Sequence, residues 1–200
     1  LKIKEVEKPV PKDDEVLIRV HSSSVTRYDC WARSCSAKTG LGLLMRLHFG
    51  FRGPKQPILG TEVSGIVEGV GKDVSRLKVG DNVFGFSGMK MGAHAEYACV
   101  NEDLVVEKPE NLTYDEAGSV LQGALTSLYF LRLAKIKKGE KVLILGASGG
   151  VGMYATQVAK NLYGAEVTGV CSSLKLDFVN DLGADHVIDY NERDFTKEPE

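Results

Sequence analysis

The sequence predicts a β unit followed by an α/β unit, and three observations carry the prediction. Residues 141–160 (KVLILGASGGVGMYATQVAK) run from an apolar strand through a glycine loop into a helical pattern. Strand and helix then recur at residues 165–170, 174–182 and 186–189, giving βαβαβ, half of a doubly wound parallel sheet. Ahead of them, residues 57–86 alternate short β-rich runs with Gly60, Gly65, Gly69, Gly71 and Gly80, the pattern of a small, strongly bent antiparallel barrel.

Composition narrows the function classes. Two hundred residues, 43% hydrophobic and 26% charged, suffice for one or two domains with cores of their own. A net charge of −2 with scattered charges supplies no basic field for nucleic acid. No apolar run is long enough to cross a bilayer. Cys30, Cys35, Cys99 and Cys171 form no C-x-x-C pair and lack disulfide density, which suits a reducing cytoplasm. Both ends read as cut, since the chain starts at Leu1 without Met and stops in a charged run after a third strand. The expectation is that chain continuing past Glu200, or a second copy in a homodimer, covers the open edge of the 141–145 strand.

In chain order, residues 15–22 (EVLIRVHS) alternate, with Val16, Ile18 and Val20 on one face and Leu17, Arg19 and His21 on the other, as in a half-buried strand. A loop and short helix follow, carrying Thr26, Tyr28, Asp29, Cys30 and Trp31. Either their hydroxyls line a pocket beside an aromatic ring, or Thr26 caps the helix with Trp31 in the core. Residues 40–51 (GLGLLMRLHFGF) read as a helical lid over an apolar cavity or, as a lesser alternative, a surface anchor. His48 alone makes no metal site. Further strands are expected at 93–100 and 104–108, ended by Pro109. Thr113 and Glu116 match a capping box, so a helix starts there and runs to Gly123, with a second helix over 124–133 and Thr126 just inside it. The domain boundary is placed at 115/116.

Val142, Leu143, Ile144 and Leu145 form an unbroken apolar run, as expected of a parallel strand covered on both faces. Gly146, Ala147, Ser148, Gly149, Gly150, Val151 and Gly152 then make the turn into the next helix. A side chain there would hold a pyrophosphate away from the backbone N–H groups and the positive end of the helix dipole. The arrangement therefore predicts a dinucleotide site.

Five further sets of residues point to a family: Gly60, Glu62, Gly65, Val67, Val70 and Gly71 with Gly80, Asp81 and Val83; GAHAEY at 92–97; the pair Leu125 and Thr126; GASGGVG at 146–152; and LGADHVIDY at 182–190. Together they resemble the medium-chain dehydrogenase/reductase superfamily, in its zinc-independent quinone oxidoreductase and enone reductase branch. The resemblance implies a GroES-like β-barrel catalytic domain, residues 1–115, and the first βαβαβ half of a Rossmann domain, residues 116–200. Substrate and nicotinamide are then expected between the two. It also implies that Thr126 contacts the cofactor and that Tyr190 packs near the adenosine. Zinc alcohol dehydrogenases of the superfamily hold metal with a Cys and a His where this chain has Thr26 and Thr61, and threonine is a poor zinc ligand. No catalytic metal is expected.

Cofactor choice is argued from the end of the second strand. An NAD enzyme needs Asp or Glu about twenty residues past the glycine loop, and a 2′-phosphate needs hydroxyls and a cation. Counting from Gly152 reaches Ser172, with Ser173 and Lys175 beside it, which predicts NADPH. The most economical chemistry is metal-free hydride transfer to a quinone or enone, with Thr26, Tyr28 or a water they hold donating a hydrogen bond to the acceptor oxygen. Asp29 and Glu62 are expected to hold barrel loops. The 200-residue chain alone is expected to bind cofactor weakly and not turn over. Two rivals are a zinc-type alcohol dehydrogenase relative and a non-catalytic NADPH-binding protein.

Overall fold

The computed structural model describes residues 1–34, 47, 50 and 55–197. Cys35, His48 and all of the 40–51 segment except Leu47 and Gly50 lie outside the described residues, and with them the lid expectation. The chain divides into two units, Leu1–Leu121 and Gln122–Glu200.

The first unit is built on strand β1 (Glu15–Ser22), whose alternation places Val16 and Ile18 in the core. Leu17, on the opposite face, is buried as well. Strand β1 pairs antiparallel with β2 (Glu62–Val70) and with β4 (Tyr97–Asn101); β3 (Asn82–Phe86) and β5 (Val105–Glu107) complete the order β4-β1-β2-β3-β5. Two register irregularities, at Leu17/Ile18 and Val20/Ser22, bend β1 against β2, as bulges do in strongly curved sheets. Val63, Val67, Val83, Val100 and Val105 close the core beneath it. The strand expected from residue 93 starts only at Tyr97. Ala93 and His94 instead donate their N–H groups to the carbonyls of Gly60 and Leu59, so this stretch pairs with a loop.

Helix α1 (Arg27–Ser34) begins with Thr26 as its cap and Asp29 reaching back. The Asp29 carboxylate accepts from the Thr26 N–H at 2.7 Å and the Thr26 hydroxyl at 2.8 Å. Asp29 and Ala32, three apart, form the buried face. Trp31 lies off that face at 50% exposure, so it is not a core residue.

Thr113 and Glu116 form the capping box reciprocally. The Glu116 carboxylate accepts from the Thr113 N–H at 2.8 Å, and the Thr113 hydroxyl accepts from the Glu116 N–H at 3.2 Å. Helix α2 then runs unbroken from Tyr114 to Ala134, where two helices divided at Gly123 were expected. Gly123 serves a close approach instead of a break. A Cβ there would overlap the Gly150 carbonyl oxygen and the Tyr154 ring.

The second unit is a parallel sheet of order β6-β7-β8, made of β6 (Lys141–Leu145), β7 (Glu166–Cys171) and β8 (His186–Asp189). Helices α3 (Gly152–Asn161) and α4 (Leu176–Asp181) connect them. Ile144, Ala147, Ala159, Val167 and Val179 form its core with Leu131. Strand β6 is not covered on both faces, since Leu143 and Leu145 are 52% and 66% exposed. Among the described strands it pairs only with β7. Helix α4 begins at Leu176, later than the predicted 174, because Lys175 N–H bonds the Ser172 carbonyl and tightens residues 173–175 into a 3₁₀ turn. The α/β-plus-β class read from the sequence is the class observed.

Helix propensity alone predicts that Gly123→Ala stabilises α2 by about 1 kcal/mol. The close approach reverses the sign, and we expect a loss of about 1–3 kcal/mol from overpacking, measured by urea denaturation.

Candidate functional site

The β6–α3 loop sets one half of the site. Gly146 and Ala147 both donate N–H to the Val170 carbonyl at 3.0 Å, and Gly149 donates to the Gly146 carbonyl at 2.9 Å. Gly146 has φ +73°, and a Cβ on Gly152 would overlap the Gly146 carbonyl oxygen. The turn closes only with glycine at both positions. These bonds leave the N–H groups of Ser148, Gly150, Val151 and Gly152 uncommitted. A Cβ on Gly150 would meet nothing within 4 Å, so the loop is open on that side. The open side at Gly150 and the uncommitted N–H groups, with the positive end of α3, make this loop a candidate anion site.

The residues around this loop divide into donors and supports. Ala147 is fully buried in the core with its N–H already bonded, so it acts as support. Thr126 is half-buried on α2. The side chain that reaches the loop is its neighbour Ser127, which the sequence reading missed. Its buried hydroxyl stands 2.7 Å from the Gly123 carbonyl oxygen and 2.8 Å from that of Val151, one proton serving two acceptors. Spacing of four residues from Gly123 was the only sequence signal for it. Thr156, also fully buried, donates to the Gly152 carbonyl at 3.0 Å.

The second half of the dinucleotide region lies at the ends of β7 and β8. Their register pairs Cys171 with Asp189, so Ser172 and Tyr190 leave the sheet side by side, and Tyr190 N–H bonds the Cys171 carbonyl at 3.1 Å. Ser173 and Lys175 are exposed on the adjoining turn, the Lys175 ammonium 5.9 Å from the Phe178 ring centroid. Leu145 pairs with Val170, so the glycine loop emerges at the same carboxyl end of the sheet, where open α/β sheets bind ligands. The structure thus places Ser172, Ser173, Lys175 and Tyr190 at one end of the sheet. The sequence did not flag Asp189 or Asn191, whose N–H donates to the Asp189 carboxylate at 3.0 Å.

In the first unit, the loop before α1 is tied down by buried carboxylates. Asp29 accepts from Gly60 N–H at 3.0 Å as well as from Thr26. Glu62 accepts from the Ser24 hydroxyl, and its backbone carbonyl accepts from Ser23 at 2.7 Å. The Thr26 hydroxyl thus has its proton on Asp29. Tyr28 packs among Leu59, Ala32 and Met91. Burial, with the Asp29 charge second, raises its pKa above the ordinary phenol value, so its O–H remains a donor at neutral pH. Thr61 is 0% exposed, and among the described residues its hydroxyl has no hydrogen-bond partner.

Comparison with known proteins gives this geometry a family. Residues 12–110 match the family described as alcohol dehydrogenase GroES-like domain, and residues 150–199 the one described as zinc-binding dehydrogenase. A mouse protein, "NAD(P)H oxidoreductase RTN4IP1, mitochondrial", is 40% identical over 185 residues, covering 88% of this chain and 46% of its own. The chain belongs to the medium-chain dehydrogenase/reductase superfamily. Solved superfamily structures superpose closely. The quinone oxidoreductase of Coxiella burnetii has TM-score 0.86 at 32% identity, over 98% of this chain and 59% of that one. The Escherichia coli quinone oxidoreductase complexed with NADPH has TM-score 0.80 at 28% identity, over 96% and 55%. The chain spans about half the length of the curated relatives it matches.

The second family description raises the question of zinc, and the donor set does not fit it. Thr26 has its hydroxyl proton on Asp29, and Thr61 presents a sealed hydroxyl in place of an imidazole. Among the described residues no three His, Cys, Asp or Glu side chains gather as a metal would require.

An unpaired buried hydroxyl costs about 1–3 kcal/mol, so Thr61→Val, equal in shape, is expected to raise the urea midpoint. Thr61→Ser, which keeps the hydroxyl and loses a methyl, is expected to lower it by about 1 kcal/mol.

Proposed function

We propose that the protein is an NADPH-dependent oxidoreductase that transfers hydride, without metal, to a quinone or an α,β-unsaturated carbonyl. The observation that carries this reading is the set of four uncommitted N–H groups at the start of α3, at the carboxyl ends of a parallel sheet. The NADPH-bound E. coli relative and the NAD(P)H name of the mouse relative support the cofactor. Ser148, Gly149, Gly150, Val151 and Gly152 would hold the pyrophosphate, Gly146 and Ala147 would shape the turn, and residues 172–175 with Tyr190 would take the adenosine end, with Thr126 nearer the nicotinamide. Residues 1–115 would form the substrate unit and residues 116–200 part of the dinucleotide unit.

When bound, NADPH supplies the hydride. The chain must orient the acceptor and stabilise charge growing on its oxygen. Of the two candidate donors, Thr26 has its proton on Asp29, which leaves Tyr28 as the donor, directly or through a water. Asp29 also fixes the turn into α1 against Gly60, so Tyr28 stands on a braced helix start. The reading without metal rests on the hydroxyls at positions 26 and 61. A cytoplasmic setting belongs to the same proposal and is supported by the free thiols of Cys30, Cys99 and Cys171. No described helix is long and apolar enough to cross a membrane.

The test follows NADPH absorbance in the full-length protein with a quinone and an enal, with and without chelator. Turnover that persists in chelator is expected. Loss of turnover in chelator would restore the zinc reading, and no turnover with either acceptor would favour a binding protein. Tyr28→Phe is expected to lower kcat on the order of 10²-fold with little change in KM. Because its pKa is raised, Tyr28 should cause no alkaline decline in rate below about pH 10.

A further inference from the structure

Met91 holds a backbone conformation that its residue type does not favour. It has φ 54° and ψ −151°, beside the region that only glycine enters without strain. Strain of this kind persists only where the surroundings over-determine it, and here the bonds on each side do so. Met91 donates its N–H to the Gly88 carbonyl at 3.3 Å. Gly92 and His94 both donate theirs to the Leu59 carbonyl, at 3.2 and 2.8 Å, and Ala93 donates to the Gly60 carbonyl at 3.2 Å. The His94 ring adds a further tie, with Nε2 standing 2.9 Å from the Ser24 carbonyl oxygen. A carbonyl only accepts, so Nε2 carries the proton there. Residues 91–94 are thus fastened both to the 59–60 loop and to the loop that leads into α1.

The side chain shows what the strained turn achieves. Met91 is 4% exposed, yet it lies apart from the barrel core. With Ala32 it forms a separate small cluster against which Tyr28 and Leu59 pack. Ala32 lies one turn along α1 from Tyr28, so it moves with the helix and cannot fix where the helix stands. Met91 and Leu59 come from the fastened loops, and of the two Met91 is the buried one. A thioether suits the place, because its unbranched chain fills irregular gaps and its sulfur is attracted to aromatic rings.

We propose that Met91 is a positioning residue: its side chain, carried inward by the strained turn, sets the Tyr28 ring where its hydroxyl can donate to the acceptor oxygen. The inference rests on the reading of Tyr28 as donor above. The strain belongs to the backbone and the positioning to the side chain, so different substitutions separate them.

The experiment compares full-length wild type with Met91→Leu, Met91→Ala and Met91→Gly. It reads the fluorine resonance of fluorotyrosine placed at position 28, the urea midpoint, and, in unlabelled protein, kcat and KM for NADPH-dependent reduction of a quinone. Met91→Leu conserves volume and keeps the strain, so the resonance should stay in place and kcat should hold within about threefold. Met91→Ala and Met91→Gly should each shift the resonance and lower kcat on the order of tenfold with little change in KM, since a small misplacement of a donor slows the chemical step. Their urea midpoints should differ, with Met91→Gly above Met91→Ala, because glycine alone relieves the strained backbone. A midpoint for Met91→Ala at or above that for Met91→Gly overturns the strained turn. If Met91→Ala does not fold, Met91→Gly decides by its resonance and kcat. A resonance that stays in place in Met91→Gly overturns the proposal, whatever kcat does. A resonance that shifts while kcat holds leaves Tyr28 placed by Met91 and fails instead at the reading of Tyr28 as donor.

Discussion

Two backbone approaches hold the second unit's loop in place: position 152 against the carbonyl of Gly146, and position 123 against the carbonyl of Gly150. Neither contact leaves room for a Cβ. Because α2 comes so close at Gly123, the hydroxyl of Ser127, one turn further along, can reach the Val151 carbonyl. Gly152 sits on Gly146, and that approach fixes where α3 starts. The candidate anion site is thus shaped by packing on its inner side, where glycines stand at the closest approaches.

A second constraint is the single proton of a hydroxyl. Thr26 gives its proton to Asp29 and Ser24 to Glu62. In each case a well-buried carboxylate turns a residue that reads as a candidate ligand into a fixed part of the frame. The loops they hold cannot shift without leaving a buried polar group unpaired.

Much of this was legible in the chain. The periodicity of residues 15–22, the Thr113 and Glu116 pair, the glycine loop and the 186–189 strand were each local patterns with a local cause, and each formed where expected. Errors came where a distant segment decided. Gly123 read as a helix break because glycine is a poor helix former, yet its reason is the loop some thirty residues later. Residues 93–96 read as strand, yet they bond the 59–60 loop. Of the two readings of Trp31, the one that put it in the core fails, because the buried face of α1 is set by Asp29 and Ala32. Leu143 and Leu145 read as covered on both faces, and the sheet leaves them half-open.

By itself, then, the sequence determined the class of fold, the order of its elements and the place of the dinucleotide loop, because strand alternation, helical spacing, capping and glycine turns depend on near neighbours. Only the tertiary structure decided which donors remain available. Whether the proton of Thr26 or Ser127 is already taken depends on an acceptor brought close by folding, and hydrogen bonding is settled within about 3 Å, whatever the separation along the chain.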